Sequence, residues 1–380
     1  MIVLMEQPVT TKVKLPHRQE LQDTIEVYAD ALQFCIDTAW KHNITVRKEL
    51  HDKCYYPVRE QYDVPAQLTC NILQHAIEAV KESDSKPDVG TEHTPRYNFP
   101  RSASVNSDWT KLSLLTLDGR INLDITVPDC YQQYLDLEVR ESTLINKNGE
   151  FYFCFVFVKE VEIPDPSCRD GLEVLGVDLG VNKVAVTSDG NFYGTKIKEK
   201  RRQRDEFVAE LQRKGTHAAH NRIKEYGSRW KRFMDWKNHN IARQIVDKLE
   251  KGDVIVLEDL TEIRKDNENR WVHKWAFRDL ADKIEYKARL NGIKVVYTDP
   301  HNTSRQCSAC HSLDTDRTGE NDGWFTCNNC GYTLDADLNA AKNIAHSYTE
   351  TLEQAGTSKR AIDSGTDDAE ATGPSDADNA

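Results

Sequence analysis

The sequence predicts a multi-domain protein that joins an α/β region to a β-rich one. Three observations predict it. Two apolar runs, Val174–Asp178 and Val254–Glu258, each end on an acid, and a long helical stretch separates them. Short β-rich runs punctuated by Asp118-Gly119 and Asn148-Gly149 turns occupy residues 111–163. Finally, Cys307, Cys310, Cys327 and Cys330 form a C-x2-C-x16-C-x2-C module late in the α/β region.

The 380 residues suffice for two or three domains. No apolar run approaches the ~20 residues of a membrane span. The opening Met1-Ile2-Val3-Leu4-Met5 is too short for a signal-peptide core and lacks a basic leader. The expectation is a cytoplasmic protein with no membrane partner. In that compartment thiols stay reduced, so paired cysteines read as metal ligands and the scattered Cys35, Cys54, Cys70, Cys130, Cys154 and Cys168 as plain thiols.

Net charge is -12, but it is unevenly spread. Residues 194–251 hold 17 lysines and arginines against 8 acids, which leaves -21 on the rest of the chain. A basic stripe on an acidic body suits a phosphate-binding face, although charge runs are more often solvated helix surface. The acidic remainder resembles adaptation to a salty cytoplasm and points to a halophilic archaeon as the source.

Taken in order, Thr11–Pro16 reads as a short strand stopped by proline. Leu21, Ile25, Tyr28, Leu32, Ile36 and Ala39 then recur at helical spacing, as do Leu68, Ile72, Ala76 and Val80. Residues 83–106 are polar and punctuated by Pro and Gly, hence loop. The runs Leu112–Leu117 and Ile121–Ile125 form a hairpin, and Phe151–Val158 reads as a buried strand. Together these suggest a small barrel or sheet with a helical segment inserted after its first strand. The α/β region begins at Val174. A long basic helix is expected to run to about Leu249, then a strand to Glu258, a helix over 275–290 and a strand at 294–297. From Ala361 the chain has six acids and no bases, so it reads as a disordered tail.

Each C-x2-C places two thiolates on one side of a tight knuckle, and two knuckles supply the four ligands of a tetrahedral Zn2+. With sulfur at every position no site is left for water, so this zinc is structural. Asp178 and Glu258 close buried strands at the sheet edge where α/β proteins bind ligands, and Asp337 opens the helix after the cysteine module. Singly, each reads as a turn former, a strand-end solvator or a helix N-terminal charge. Converging, three carboxylates can hold two Mg2+ or Mn2+ ions for phosphodiester hydrolysis. Arg305 reads as an exposed loop arginine, with a phosphate contact as the alternative. His217 and His220 read as surface residues.

These acids lie in motifs that carry a family resemblance. Gly176-Val177-Asp178-Leu179-Gly180, Val256-Leu257-Glu258-Asp259-Leu260, Thr303-Ser304-Arg305-Gln306-Cys307 and Asp335-Ala336-Asp337-Leu338-Asn339-Ala340-Ala341-Lys342-Asn343-Ile344 together resemble the TnpB family. Its members are transposon-encoded RNA-guided DNA endonucleases similar to type V CRISPR effector nucleases. The motif match covers about 172–348, and only the architecture corresponds further upstream.

The resemblance implies a RuvC-like (ribonuclease-H fold) nuclease with an inserted zinc ribbon, preceded by a wedge-type β-barrel with an inserted helical recognition segment. Residues 1–16 and 86–166 would be the barrel, 17–85 the helical segment and 172–300 the RuvC-like core. The ribbon would span 301–333, the helix with the last catalytic acid 334–348, and the acidic tail 349–380. Asp178, Glu258 and Asp337 are implied as the catalytic metal ligands. Asp337 is preferred to Asp335 because the family's last acid stands two residues before the motif's asparagine. This chain has His311 where the family often has glycine, which puts one turn in doubt. The implied partners are a guide RNA from the transposon end and double-stranded target DNA, cut beside a short adjacent motif, with the protein working on the nucleoid. Two other readings stay open: a catalytically silent RNA-guided DNA-binding regulator, and a strand-transfer transposase.

Overall fold

The computed structural model describes residues 2–89, 94–168, 171–180, 183–259, 271–319 and 323–363. The chain divides into two units, Glu6–Glu160 and Met1–Met5 with Val161–Ala380.

In the first unit, strand β1 (Ile2–Lys14) is far longer than the segment at 11–16 that the sequence marks out. Helices α1 (Gln19–Lys41), α2 (Arg47–Gln61) and α3 (Ala66–Glu82) follow it, so the helical segment does sit after the first strand. The apolar stripes of α1 and α3 pack together, burying Leu21, Tyr28, Leu32 and Ile36 against Leu68, Ile72 and Ala76. The sequence reading did not separate α2. Only Leu50, Cys54 and Val58 are buried on it, and Pro57 interrupts its hydrogen-bond ladder.

Two more short strands, β2 (Arg96–Tyr97) and β3 (Ala103–Val105), lie inside the stretch expected to be loop. The buried amide of Asn71 on α3 donates to the Arg96 carbonyl at 2.7 Å and ties the helices to β2. Strands β4 (Lys111–Thr116) and β5 (Gly119–Asp124) form the expected hairpin. They are followed by β6 (Glu138–Val139), β7 (Ser142–Lys147) and β8 (Glu150–Pro164). On β8 the alternation places Phe151, Phe153, Phe155 and Phe157 on one buried face. Burying such a ring contributes roughly 2–3 kcal/mol, so this face anchors the unit. Among the described residues the pairings make two sheets, β1-β8-β7-β2 with β6 beside β8, and β3-β4-β5, rather than one closed barrel.

The second unit contains β9 (Val174–Asp178), β10 (Ala185–Thr187) and β11 (Phe192–Tyr193). The basic stretch is two helices, α4 (Ile197–Lys214) and α5 (His217–Val246), rather than one. Gly215, at φ 61°, ends α4, and the Thr216 hydroxyl caps α5 by accepting from the Ala219 amide. Next come β12 (Val254–Glu258), α6 (Trp271–Leu290) and β13 (Lys294–Thr298). The cysteine module carries β14 (Thr315–Thr318), β15 (Trp324–Cys327) and β16 (Thr333–Asp335), and α7 (Ala336–Asp363) ends the described chain. Residues 349–363, expected as tail, continue α7, because Leu352, Glu353, Gln354 and Ala355 are good helix formers. Residues 364–380 of the expected tail lie outside the described residues.

The main sheet runs β11-β10-β9-β12-β13, with β9, β12 and β13 parallel. Alternate side chains separate its two cores. Leu175, Val177, Ile255 and Leu257 pack with Ile241 and Ile245 of α5 and Leu280 and Ile284 of α6. Val254 and Val256 pack with Ile344 and Tyr348 of α7 on the other face. Gly176 is the point of closest approach: a Cβ there would overlap the Ala341 carbonyl oxygen and the Ala345 amide of α7. Among the described residues no helix is long and apolar enough to cross a membrane.

Candidate active site and cysteine cluster

The register of β9 against β12 pairs Val177 with Leu257, so Asp178 and Glu258 leave adjacent parallel strands at the same edge. Alternation sends both toward the face that α7 covers, since Val174 and Val254, four residues before each acid, pack there. Asp337 occupies the first turn of that helix. The three predicted acids therefore meet at one sheet edge.

Their charges interact. Burial pushes the Asp178 carboxyl well above the usual range, the Glu258 and Asp337 carboxylates push it further, and Arg317 and Lys183 oppose them. Burial also raises Glu258, against the Thr303 hydroxyl that donates to its Oε1 at 2.5 Å. Lys183 Nζ lies 3.0 Å from Asp337 and 2.5 Å from Asp335. The two acids of Asp335-Ala336-Asp337 have different jobs. Asp335 Oδ1 accepts from the Asp337 and Leu338 amides at 3.1 and 3.3 Å and so caps α7. Asp337 is left to face the other two carboxylates.

The asparagines of the last motif hold the entry to the cysteine module. Asn339, wholly buried, donates to the Gln306 carbonyl at 2.8 Å and accepts from the Ser308 amide at 3.0 Å. One turn on, Asn343 donates to the carbonyls of Thr303 and Gln306 at 2.8 and 2.7 Å. Segment 303–308 is thereby fastened to α7 while Thr303 reaches Glu258. Sequence reasoning missed Thr303, Asn339 and Asn343 as contributors. Two asparagines four apart on an apolar helix were the available signal, because such amides need buried partners.

In the module, Cys307 Sγ lies 3.7 Å from Cys330 Sγ, and Cys310 Sγ lies 3.6 Å from Cys327 Sγ. All four sulfurs fall within 4.8 Å of one another, and among the described residues no other His, Cys, Asp or Glu group is so tight. Tetrahedral Zn–S bonds of ~2.3 Å require sulfurs about 3.8 Å apart, so the cluster suits a structural zinc. The three carboxylates are spaced more loosely. Each knuckle ends on a left-handed residue, Gly331 at φ 73° and His311 at φ 59°. The amides of both donate back to the first cysteine carbonyl of their pair at 2.9 Å. The turn that His311 put in doubt is therefore formed, and its ring stacks on His346 of α7 with centroids 4.5 Å apart.

A family model described as the Cas12f1-like TNB domain matches residues 277–344, which contain this module and Asp337. The CRISPR-associated endodeoxyribonuclease Cas12f1 of Sulfoacidibacillus thermotolerans is 36% identical over 203 residues, 48% of this chain and 47% of that protein. The TnpB-like protein MJ0751 of Methanocaldococcus jannaschii is 26% identical over 260 residues, 62% of this chain and 89% of that one. The chain is thus similar both to a Cas12f1 endodeoxyribonuclease and to a TnpB-like protein. It spans about half the length of the curated Cas12f relatives it matches. A cryo-EM structure of a Cas12f1–sgRNA–target DNA complex superposes loosely, with a TM-score of 0.36 at 16% identity over 89% of this chain and 99% of that one.

In this chain Arg305 is exposed, engaged through its backbone, and is not one of the cations that act on Asp178. Arg317 on β14 is, held by a 2.8 Å hydrogen bond to the Ser304 carbonyl. Sequence offered no signal for it, since its position depends on how the module folds back. His217 and His220 are exposed on the first turn of α5 and belong to no metal-ligand group among the described residues.

Proposed function

We propose that this protein is an RNA-guided, divalent-metal-dependent DNA endonuclease encoded by an insertion-sequence transposon. In this reading a guide RNA from the transposon end pairs with target DNA, and the protein reads duplex shape and a short adjacent motif. It would work on the nucleoid. The observation that carries the reading is the convergence of Asp178, Glu258 and Asp337 on one face of one sheet edge.

Asp178, Glu258 and Asp337 would hold Mg2+ or Mn2+. The donor set fits, being three hard oxygen ligands, and the repulsion that burdens Asp178 is what a bound cation relieves. Bound there, such ions supply an activated water and stabilise the leaving oxygen of a phosphodiester. The residues around them hold the acids in place. Thr303 orients Glu258 through its hydroxyl, Asp335 fixes the first turn of α7, and Lys183 and Arg317 offset the negative charge. Cys307, Cys310, Cys327 and Cys330 would hold the structural Zn2+, and the basic helices α4 and α5 would take nucleic-acid phosphates.

The test is to express the chain with its flanking transposon-end transcript and challenge the complex with a plasmid library randomised beside the target, in Mg2+. Guide-dependent cutting beside one enriched motif, lost in Asp178→Ala, is the expected result. Bound RNA and occupied targets without a cut would make the protein a regulator instead. Joined rather than broken ends would make it a transposase.

A further inference from the structure

Helices α4 and α5 form a hairpin whose seam departs from the usual aliphatic stripe. Between Ile197 and Leu211, α4 buries no residue, and α5 buries none between Ala219 and Asn238. In that interval the helices meet through rings and cations. Lys200 lies over Phe233 at 4.9 Å, Arg204 over Trp230 at 5.8 Å, and the rings of Phe207 and Tyr226 are 4.9 Å apart. These rings stay half-exposed, and Trp236 on the same helix is 59% exposed. Solvated aromatic surface on this scale is costly unless a ligand covers it.

Beside Phe207 and Tyr226 the hairpin opens a cleft of about 590 Å³, walled by Asn221, Arg222, Glu225 and Arg229. Glu225 is paired with Arg229 at 2.6 Å, whereas the Arg222 side chain makes no hydrogen bond or ion pair among the described residues. Two rings, an amide and two guanidinium groups, set in the most basic stretch of the chain, match an unpaired nucleotide. The rings offer faces to a base, Asn221, whose amide nitrogen lies 3.4 Å from His217 Nδ1, offers its carbonyl oxygen to a base edge, and the Arg222 guanidinium is free for a phosphate. An unpaired base exposes the π-face that this cleft can use, while a duplex keeps its bases stacked on each other.

We infer that the cleft between α4 and α5 binds an unpaired nucleotide of a bound strand, with Phe207 and Tyr226 stacking on the base and Arg222 holding its phosphate. The inference rests on the proposed nucleic-acid function and adds a base-binding contact to the phosphate contacts proposed for the α4–α5 hairpin.

Fluorescence anisotropy of the purified full chain with labelled oligouridine, oligothymidine and a blunt duplex tests it. Tyr226→Leu is expected to weaken single-strand binding about tenfold while Tyr226→Phe keeps it, because stacking needs the ring and not the hydroxyl. Arg222→Ala, at an exposed and unpartnered position, should weaken single-strand binding and flatten its salt dependence. Duplex binding should be unchanged in all three. Preference for oligouridine would assign the nucleotide to RNA, and preference for oligothymidine to DNA, either of which supports the cleft. Single-strand binding that is equally tight in Tyr226→Leu and Arg222→Ala would overturn the cleft while leaving guide-dependent cutting intact. A wild-type chain that binds no nucleic acid would overturn the cleft and the proposed function together.

Discussion

Asp178 shows how a single carboxyl carries both cost and use. Its charge is disfavoured by burial and by two neighbouring acids, so the metal-free protein holds a repulsive group in place. Asp178→Asn should therefore raise the Tm of the metal-free protein by a few degrees while abolishing cleavage, and thermal scans in EDTA beside a nuclease assay check both. A lowered Tm would mean that the three acids do not repel one another. Asp189 behaves oppositely. Burial alone would raise it, but Lys248, Thr187 and Asn191 outweigh that and bring its carboxyl to about 2 from an ordinary 3.8. A depressed acid stabilises the fold above its unfolded value and loses that contribution as pH falls through the folded one. With both partners about a third exposed, the contribution is about 1 kcal/mol after screening. Asp189→Asn should thus lower Tm at neutral pH and converge on wild type as pH falls from about 4 toward 2. The triad acids were legible in the sequence because an acid that ends an apolar run stands out against its own strand. Arg317 and Thr303 were not, because their partners come from segments that only folding brings near.

At the level of elements, α7 decides the geometry. It covers one face of the sheet, carries Asp337, and grips segment 303–308 through Asn339 and Asn343. Gly176→Ala would place a methyl group against the α7 backbone, a misfit that costs about 1–3 kcal/mol and pushes the helix off the sheet. Reduced denaturant midpoint together with lost cleavage is expected, and full activity would show that α7 accommodates the methyl. The Asn339 clamp predicts that the zinc module matters at a distance. Stripping the metal with a thiol-competing chelator should raise hydrogen exchange along α7 and stop cleavage with all three carboxylates intact. Protected α7 amides in the stripped protein would show the clamp to be independent of the cysteines. Strand and helix types in this half followed from the apolar period. Boundaries were less legible: the α4–α5 break hangs on one glycine and one capping threonine, and α7 extends because helix-forming residues outlast its apolar stripe.

For the molecule as a whole, charge placement sets the solvent it prefers. The -21 outside residues 194–251 repels itself at low ionic strength, and salt screens that repulsion within about 10 Å at 0.1 M. Tm should rise from low to molar KCl, while nucleic-acid affinity, which the proposed function assigns to the basic hairpin, should fall over the same range. Calorimetry and anisotropy across one salt series separate the two, and a Tm that falls with salt would defeat the repulsion argument. The helical insertion after β1 was legible as a change of period, whereas the division of the β region into two sheets was not, since turn signals fix hairpins but not which strands meet across the unit. The late position of α7 also bears on how the chain is made. A ribosome has already delivered Asp178 and Glu258 when it begins the cysteine module, yet the sheet face lined by Val254 and Val256 stays uncovered until Ile344 emerges. A chain that stops before α7 would leave that apolar face exposed and lack Asp337. Helix α7 both closes this face of the core and completes the set of acids.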